Sequence, residues 1–426
     1  RPGGWSFTHG MLRESLQRSA VEAGRTEALH DAAATALQLR FDVARAPGLA
    51  ERLGRHLVGA SRWAEALEPL AAGARERGLL SDYDGALALR ELALEGLDRL
   101  GASLDDPRRR EEVVERARLW LALGDLPRAE AAALEVAEAP AHPDVLPLRP
   151  LALRVAGLAA AKQGQLDAAE ERLGRAAEVA RSLGDAREGA RAQQSLGEVH
   201  RVRGKASEAR WYGERALSTF RTLGDSRGTA DAHIGLAATA ALARDPAAEQ
   251  RHVERALEHY RACGARFGIA AAENALGDVR RKQGRLPEAA EAYRRAHDAL
   301  RQLGSRDRVV PLLNLGLMSL RTSGPHAARE ALLEAATLAE ASGRRVLVGM
   351  TRVALLPLRA ADDDRQAFAD DLQVGAEALD ASGVVDADIA HVARNAAEGA
   401  ESRGWADLAQ QARDLANRQL RPSGGG

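Results

Sequence analysis

The stretch AAAENALGDVRRKQGRLPEAAEAYRRAHDALRQLG, residues 270–304, decides the fold. It contains two apolar-periodic runs, parted by Gly284 and closed by Gly304. Pro287 stands in the first turn of the second run, where a missing amide hydrogen costs nothing. Gly277 in the first run and Ala289 and Ala296 in the second are small where two antiparallel helices must touch. The segment reads as a helix hairpin.

The same spacing recurs on both sides of it. Gly124, Gly164, Gly204, Gly284, Gly324 and Gly404 fall on one phase of a 40-residue period, with Arg244 and Asp363 close to the two vacant slots. Gly184, Gly224, Gly264, Gly304, Gly343 and Gly383 fall half a period away. Two glycine-marked turns per period imply two helices per unit. Leu183-Gly184-Asp185 and Leu223-Gly224-Asp225 place a glycine where a helix ends left-handed, then an aspartate to cap the next helix. Glu188 follows Asp185 at capping-box spacing, and Pro246 repeats the position of Pro287.

Small residues also keep phase. Gly157, Gly197, Ala237, Gly277 and Gly316 form a column in the first helices. Ala169, Ala209, Ala289 and Ala328, then Ala176, Ala216, Ala256, Ala296 and Ala335, form two more in the second. Paired backbones are expected to cross closely there, so a larger side chain would wedge them apart at a cost of about 1–3 kcal/mol. The expected fold is all-α: an α-solenoid, a superhelix of antiparallel helix pairs.

Length and composition agree. A chain of 426 residues, about three typical domains, suits an elongated array. Sixty Lys+Arg against 61 Asp+Glu give a net charge of −1, which argues against a strongly basic nucleic-acid binder or a protein held at membranes by bulk charge. Five Trp, four Tyr and five Phe are too few for base-stacking platforms. The single cysteine, Cys263, excludes an internal disulfide framework and fits a reducing, cytoplasmic setting. Apolar runs such as 309–320 are too short to span a bilayer.

The repeat resembles the tetratricopeptide repeat (TPR). That family's consensus has Leu-Gly in the first helix, Gly at the turn, then Ala, an aromatic and Ala along the second. Leu276, Gly277, Gly284, Ala289, Tyr293 and Ala296 supply all of these. The consensus closing Pro is absent; Arg181, Arg221, Arg261 and Arg301 stand near its place. This 40-residue variety, joined by Leu-Gly-Asp, is similar to extended repeats of bacterial signalling regulators and of some eukaryotic scaffold proteins. The resemblance implies a concave wall of first helices that takes a protein or an extended or helical peptide. Its polar residues would be Arg154, Arg191, Gln194, Glu198, Arg201, Asn274, Asp278, Arg281, Lys282 and Asn314, with apolar Ile234, Leu242, Leu313 and Leu317 between them. The carboxylate clamp of chaperone-binding TPRs is not matched: only Asn314 occupies the position of its Asn before Leu-Gly.

The first hundred residues differ. Residues 63–105 read as an atypical capping helix pair of shorter spacing, residues 106–420 as repeats, and residues 421–426 as a flexible tail. Within residues 1–62, Phe7, His9, Leu12, Arg13, Glu14, Leu29 and His30 resemble the segment that follows the nucleotide-binding module in signal-transduction ATPases of the STAND class. These include maltose-regulator-type activators and ATPase-bearing Ser/Thr kinases. The resemblance implies a C-terminal sensor region that contacts an upstream ATPase or kinase domain.

Reaction chemistry is not signalled. The three lysines, Lys162, Lys205 and Lys282, sit in no phosphate-binding Gly-x-x-x-x-Gly-Lys loop, and no metalloprotease, nucleophile-elbow or kinase signature occurs. No catalytic residue, cofactor or metal is expected. His252 and His259, seven apart on one helix, read as surface histidines; His9 and His30 as local packing; Cys263, beside Gly264, as a small apolar filler. The last repeat helix ends near Leu420 with no helix-turn-helix after it, so no DNA reading is expected. The sequence therefore points to a non-enzymatic protein- or peptide-binding sensor module. The alternatives are an arm that binds a small-molecule inducer, and a scaffold that positions substrates for a catalytic domain.

Overall fold

The structure, a computed structural model, describes residues 10–43, 46–103, 105–140 and 143–420. Among them are 21 α-helices and no strand, which makes the fold an all-α helical-repeat solenoid. The chain divides into two compact units, 1–159 and 160–426. The first contains α1 (Gly10–Glu22), α2 (Thr26–Val43), α3 (Leu49–Gly59), α4 (Trp63–Leu79), α5 (Tyr83–Arg99), α6 (Pro107–Leu123) and α7 (Leu126–Ala137). The division falls inside α8 (Arg149–Lys162).

The second unit begins with α9 (Leu166–Ser182), α10 (Ala186–Val202), α11 (Ala206–Thr222), α12 (Ser226–Leu242), α13 (Pro246–Ala262), α14 (Arg266–Lys282) and α15 (Leu286–Gln302). It continues with α16 (Val309–Ser323), α17 (Pro325–Ser342), α18 (Arg345–Ala361), α19 (Arg365–Ser382), α20 (Ala387–Ser402) and α21 (Ala406–Arg418). The even-numbered members, α10 to α20, are the first helices of their pairs.

The turn chemistry acts as the spacing requires. Asp185 and Asp225 each cap a helix, accepting at 2.9 Å from the amides of Glu188 and Gly228. Gly184 and Gly224 take φ of +72° and +63°. The two vacant glycine slots keep the same conformation: Arg244 and Asp363 sit at φ +55° and +59°, a strained region for residues with a Cβ. Ser61 and Ser81 do likewise in the first unit, and α4 and α5 have 17 residues each, the length of the helices from α9 to α15. The pair at 63–99 therefore has regular dimensions, not the shorter spacing expected.

Ala176, Ala216, Ala256, Ala296 and Ala335 have no exposed surface, as a helix-contact column demands. The glycine column works differently from expectation. A Cβ on Gly197 would meet the Ala209 carbonyl at 3.2 Å, a backbone approach. On Gly277 it would meet the Tyr293 ring at 2.5 Å, and on Gly316 the Leu332 side chain. There the glycine makes room for a large side chain of the second helix, so that bulk on one helix is matched by its absence on the other.

Candidate functional site

In the second unit the first helices crowd together. α10 touches α12, α12 touches α14, α16 touches α18, and α18 touches α20. The Arg281 guanidinium on α14 donates to Asp388 Oδ1 on α20 at 3.0 Å, and the same nitrogen stands 2.9 Å from Oδ2 in an ion pair. These helices are three pairs apart. At 8–10 Å per packed neighbour, a straight stack would hold them roughly 25–30 Å apart, so the first-helix side has closed on itself.

A polar cluster fills the closure. The Tyr293 hydroxyl, on a side chain with no exposed surface, donates to Asp278 at 2.7 Å and accepts from Arg281 Nε at 3.3 Å. Burial pushes the Asp278 carboxyl above the usual carboxylate range, against the pull of the Tyr293 hydroxyl. Burial, then the Asp278 charge, raises the Tyr293 phenol. Asp388 also accepts from Arg321 at 3.5 Å, and Leu317, Met318 and Val392 close the crevice around these groups. The aromatic of the repeat pattern thus acts as a polar anchor as well as core. Tyr293→Phe keeps the ring and removes one donor and one acceptor, and should cost about 1–2 kcal/mol. Urea unfolding of the two proteins checks this, and a difference within error would show that the hydroxyl contributes nothing.

The remaining residues expected on the groove divide into three groups. Asn274 and Asn314, 40 positions apart, are joined by the Asn314 amide donating to Asn274 Oδ1 at 3.1 Å. Gln194 donates across to the Asp231 carbonyl at 3.0 Å, and Ile234 packs half-buried against the core of α12 to α14. These residues and the Arg281 cluster lie on first helices, apart from Tyr293. Arg191 pairs with Glu188, and Arg201 with Glu198, each within α10; Leu242 is exposed at the end of α12; Arg154 lies in the first unit.

Three positions depart from expectation. Lys282 reaches sideways to Glu249 on α13 at 2.7 Å, so it ties adjacent pairs together. Leu313 and Leu317 belong to the apolar core, at 4 % and 9 % exposure. Gly316 follows Gly277 by 39 residues, so Leu313 and Leu317 take the places of Asn274 and Asp278; being apolar they pack into the core there, and Leu317 also edges the crevice beside Arg281.

Other sequence readings also change. His252 is half-buried, with Nδ1 2.9 Å from Nδ1 of His233 on α12, and the His259 ring stacks on His233 at 6.0 Å. His30 packs locally, its Nδ1 3.0 Å from Nδ1 of His56. Cys263 is exposed at the end of α13, which overturns its reading as filler. Phe7, His9 and the tail 421–426 lie outside the described residues, as do the side chains of Leu12 and Arg13. Among the described residues no cluster of three or more His, Cys, Asp or Glu is placed to hold a metal, and no helix is long and apolar enough to cross a membrane.

Fold and site define the class: a TPR-like helical-repeat protein whose first helices converge on a preorganised polar face. No protein-family model matches the sequence, and neither does any curated protein. Among solved structures the chain is similar to a Rap protein complexed with competence and sporulation factor, at 17% identity and a TM-score of 0.55, covering 84% of this chain and 98% of that one. It is similar to aspartyl phosphate phosphatase F from Bacillus subtilis at 14% identity and a TM-score of 0.55, covering 85% and 94%. It is also similar to a STAND protein with a tetratricopeptide repeat sensor from Pyrococcus horikoshii, at 14% identity and a TM-score of 0.50, covering 88% of this chain and 56% of that one. These likenesses establish the fold.

Proposed function

We propose that the chain is a sensor module that binds a peptide or a protein segment on the first-helix face of its second unit and relays occupancy to a regulated partner. The observation that carries this reading is the Asn274–Asn314 pair beside the Arg281–Asp388 closure. Their mutual hydrogen bond leaves an amide donor on Asn274 and a carbonyl acceptor on Asn314, the complement of one peptide unit. Side chains already fixed by neighbours lose little entropy on binding. A ligand entering between α14 and α20 competes with the Arg281–Asp388 bridge, so occupancy shifts the balance between closed and open forms.

Two further points support the reading. One solved relative in fold carries a bound factor, and another is a STAND protein with a TPR sensor. The segment containing Leu29 and His30 resembles the region after STAND nucleotide-binding modules, which favours an ATPase or Ser/Thr kinase as the regulated partner. The small-molecule alternative has its own observation, a cavity of about 290 Å³ between α16, α18 and α20.

The test is a random dodecapeptide selection on the purified chain, followed by fluorescence anisotropy. A selected peptide should bind with a micromolar Kd, and Asn274→Ala/Asn314→Ala should weaken it about ten-fold, the worth of one or two net hydrogen bonds. Binding indifferent to the double substitution would remove the site, and a selection that yields no binder would remove the function.

A further inference from the structure

The cavity between α16, α18 and α20 opens on the same first-helix face, next to the Arg281–Asp388 closure. Its walls are apolar, made by Leu320, Pro357 and Val392. Its charged lining is of one sign: Arg321 and Arg403 face it, His391, neutral while it accepts the Asn395 amide, stands beside them, and no carboxylate lines it. The acids that hold the two arginines lie outside this lining. Arg403 pairs with Asp363 at 3.0 Å, and Arg321 reaches Asp388 only at 3.5 Å, because Arg281 holds that carboxylate more closely. Asn395 donates to His391 Nε2 at 3.2 Å, which fixes the ring against the rim.

The volume, about 290 Å³, is at the small end of ligand cavities. It suits one or two residues and not a folded domain. Arg403, which also donates to the Ala361 carbonyl at 3.2 Å, and Arg321 are each held by one acid from outside the lining. Inside the cavity a neutral apolar ligand would gain nothing from the two guanidinium groups and a cationic one would be repelled, whereas an anion would meet both. We infer that this cavity is a subsite for a short aliphatic group bearing a carboxylate. That chemistry is offered by the last residue of a peptide or by a free small acid. The positions differ from those of the carboxylate clamp that the sequence fails to match. The inference deepens the sensor reading and rests on it for the first-helix face being the binding face.

The experiment titrates the full chain with N-acetyl-L-leucine and with N-acetyl-L-leucinamide, following the NMR signals of His391 and Val392. It is repeated with two hexapeptide pools ending in leucine, one with a free terminal carboxylate and one amidated. The acid should shift both residues saturably, with the amide about ten-fold weaker, as expected for loss of a charge-assisted hydrogen bond. Arg321→Gln and Arg403→Gln together should weaken the acid about ten-fold or more while circular dichroism shows an unchanged fold. A free-carboxylate pool that binds tighter than N-acetyl-L-leucine assigns the peptide end as source; equal affinity assigns a free acid. Equal binding of acid and amide, or no shift with either probe, overturns the subsite. Pools that still bind with Asn274 and Asn314 perturbed would then leave the sensor reading standing, whereas acid binding with neither pool retained keeps the subsite and removes the peptide.

Discussion

Gly277→Val is expected to destabilise the α14–α15 hairpin by about 3 kcal/mol, the upper end for overpacking a filled core. Intrinsic helix propensity runs the other way but weakly, since glycine inside a helix is roughly 0.5–1 kcal/mol worse than alanine and valine recovers only part of that. Packing decides the sign. The first added carbon alone would lie 2.5 Å from Tyr293 Cε1 and 2.6 Å from Cδ1. The ring cannot swing aside cheaply, because Tyr293 is fully buried and its hydroxyl is held by Asp278 and Arg281. Gly235 on α12 is the control: nothing lies within 4 Å of a Cβ there, so Gly235→Ala should be neutral or stabilising by up to about 1 kcal/mol. Repeat proteins need not unfold in one step, so hydrogen exchange resolved to residues 266–302 is the proper readout. Protection lost there in Gly277→Val and kept in Gly235→Ala confirms the account. Equal behaviour of the two variants would mean that the glycine column is not a packing device.

The contrast between these glycines shows what a linear reading can and cannot reach. Turn positions are fixed by backbone conformation within a few residues, so the 40-residue phase located Gly184 and Gly224 correctly and even anticipated Arg244 and Asp363 in the empty slots. The alanine columns were equally legible, because helix contacts recur with the period. Position alone does not settle burial, however: Leu313 and Leu317 stand 39 residues after Asn274 and Asp278, in step with Gly316 after Gly277, but being apolar they pack into the core, Leu317 at the edge of the crevice. Arg321 stands 40 positions after Arg281 and was within reach of the same column logic. Asp388 was not, because its meeting with Arg281 depends on rotation accumulated over three helix pairs, which no local pattern records. His233 escaped for a similar reason: its partners His252 and His259 lie on the next helix, and the sequence shows only their mutual spacing.

That histidine group makes the second unit acid-sensitive in a defined window. His233 is 3 % exposed, and its pKa is pushed down from 6.5 to about 4, first by burial and then by the charges of His252, Arg221, His259 and Arg255. Its Nδ1 meets His252 Nδ1 at 2.9 Å, and Arg221 stands 3.4 Å from its Nε2, so a proton added to His233 faces cationic neighbours on both sides. The unfolded chain accepts that proton near pH 6.5 and the folded chain only near 4. Stability is therefore complete above about pH 6.5 and falls as the pH drops towards 4. The gap between 6.5 and about 4, at about 1.4 kcal/mol per pH unit, caps the loss from this one group at about 3 kcal/mol. His252, also lowered by burial, adds to the loss, whereas Asp231, raised by burial beside Tyr260, opposes it. Urea unfolding at pH 7.5 and pH 4.5 should show the fall in the natural chain and a clearly shallower one in His233→Gln, which keeps a polar side chain but cannot take the proton. If the two proteins lose stability in parallel across that window, the imidazole group has no part in it.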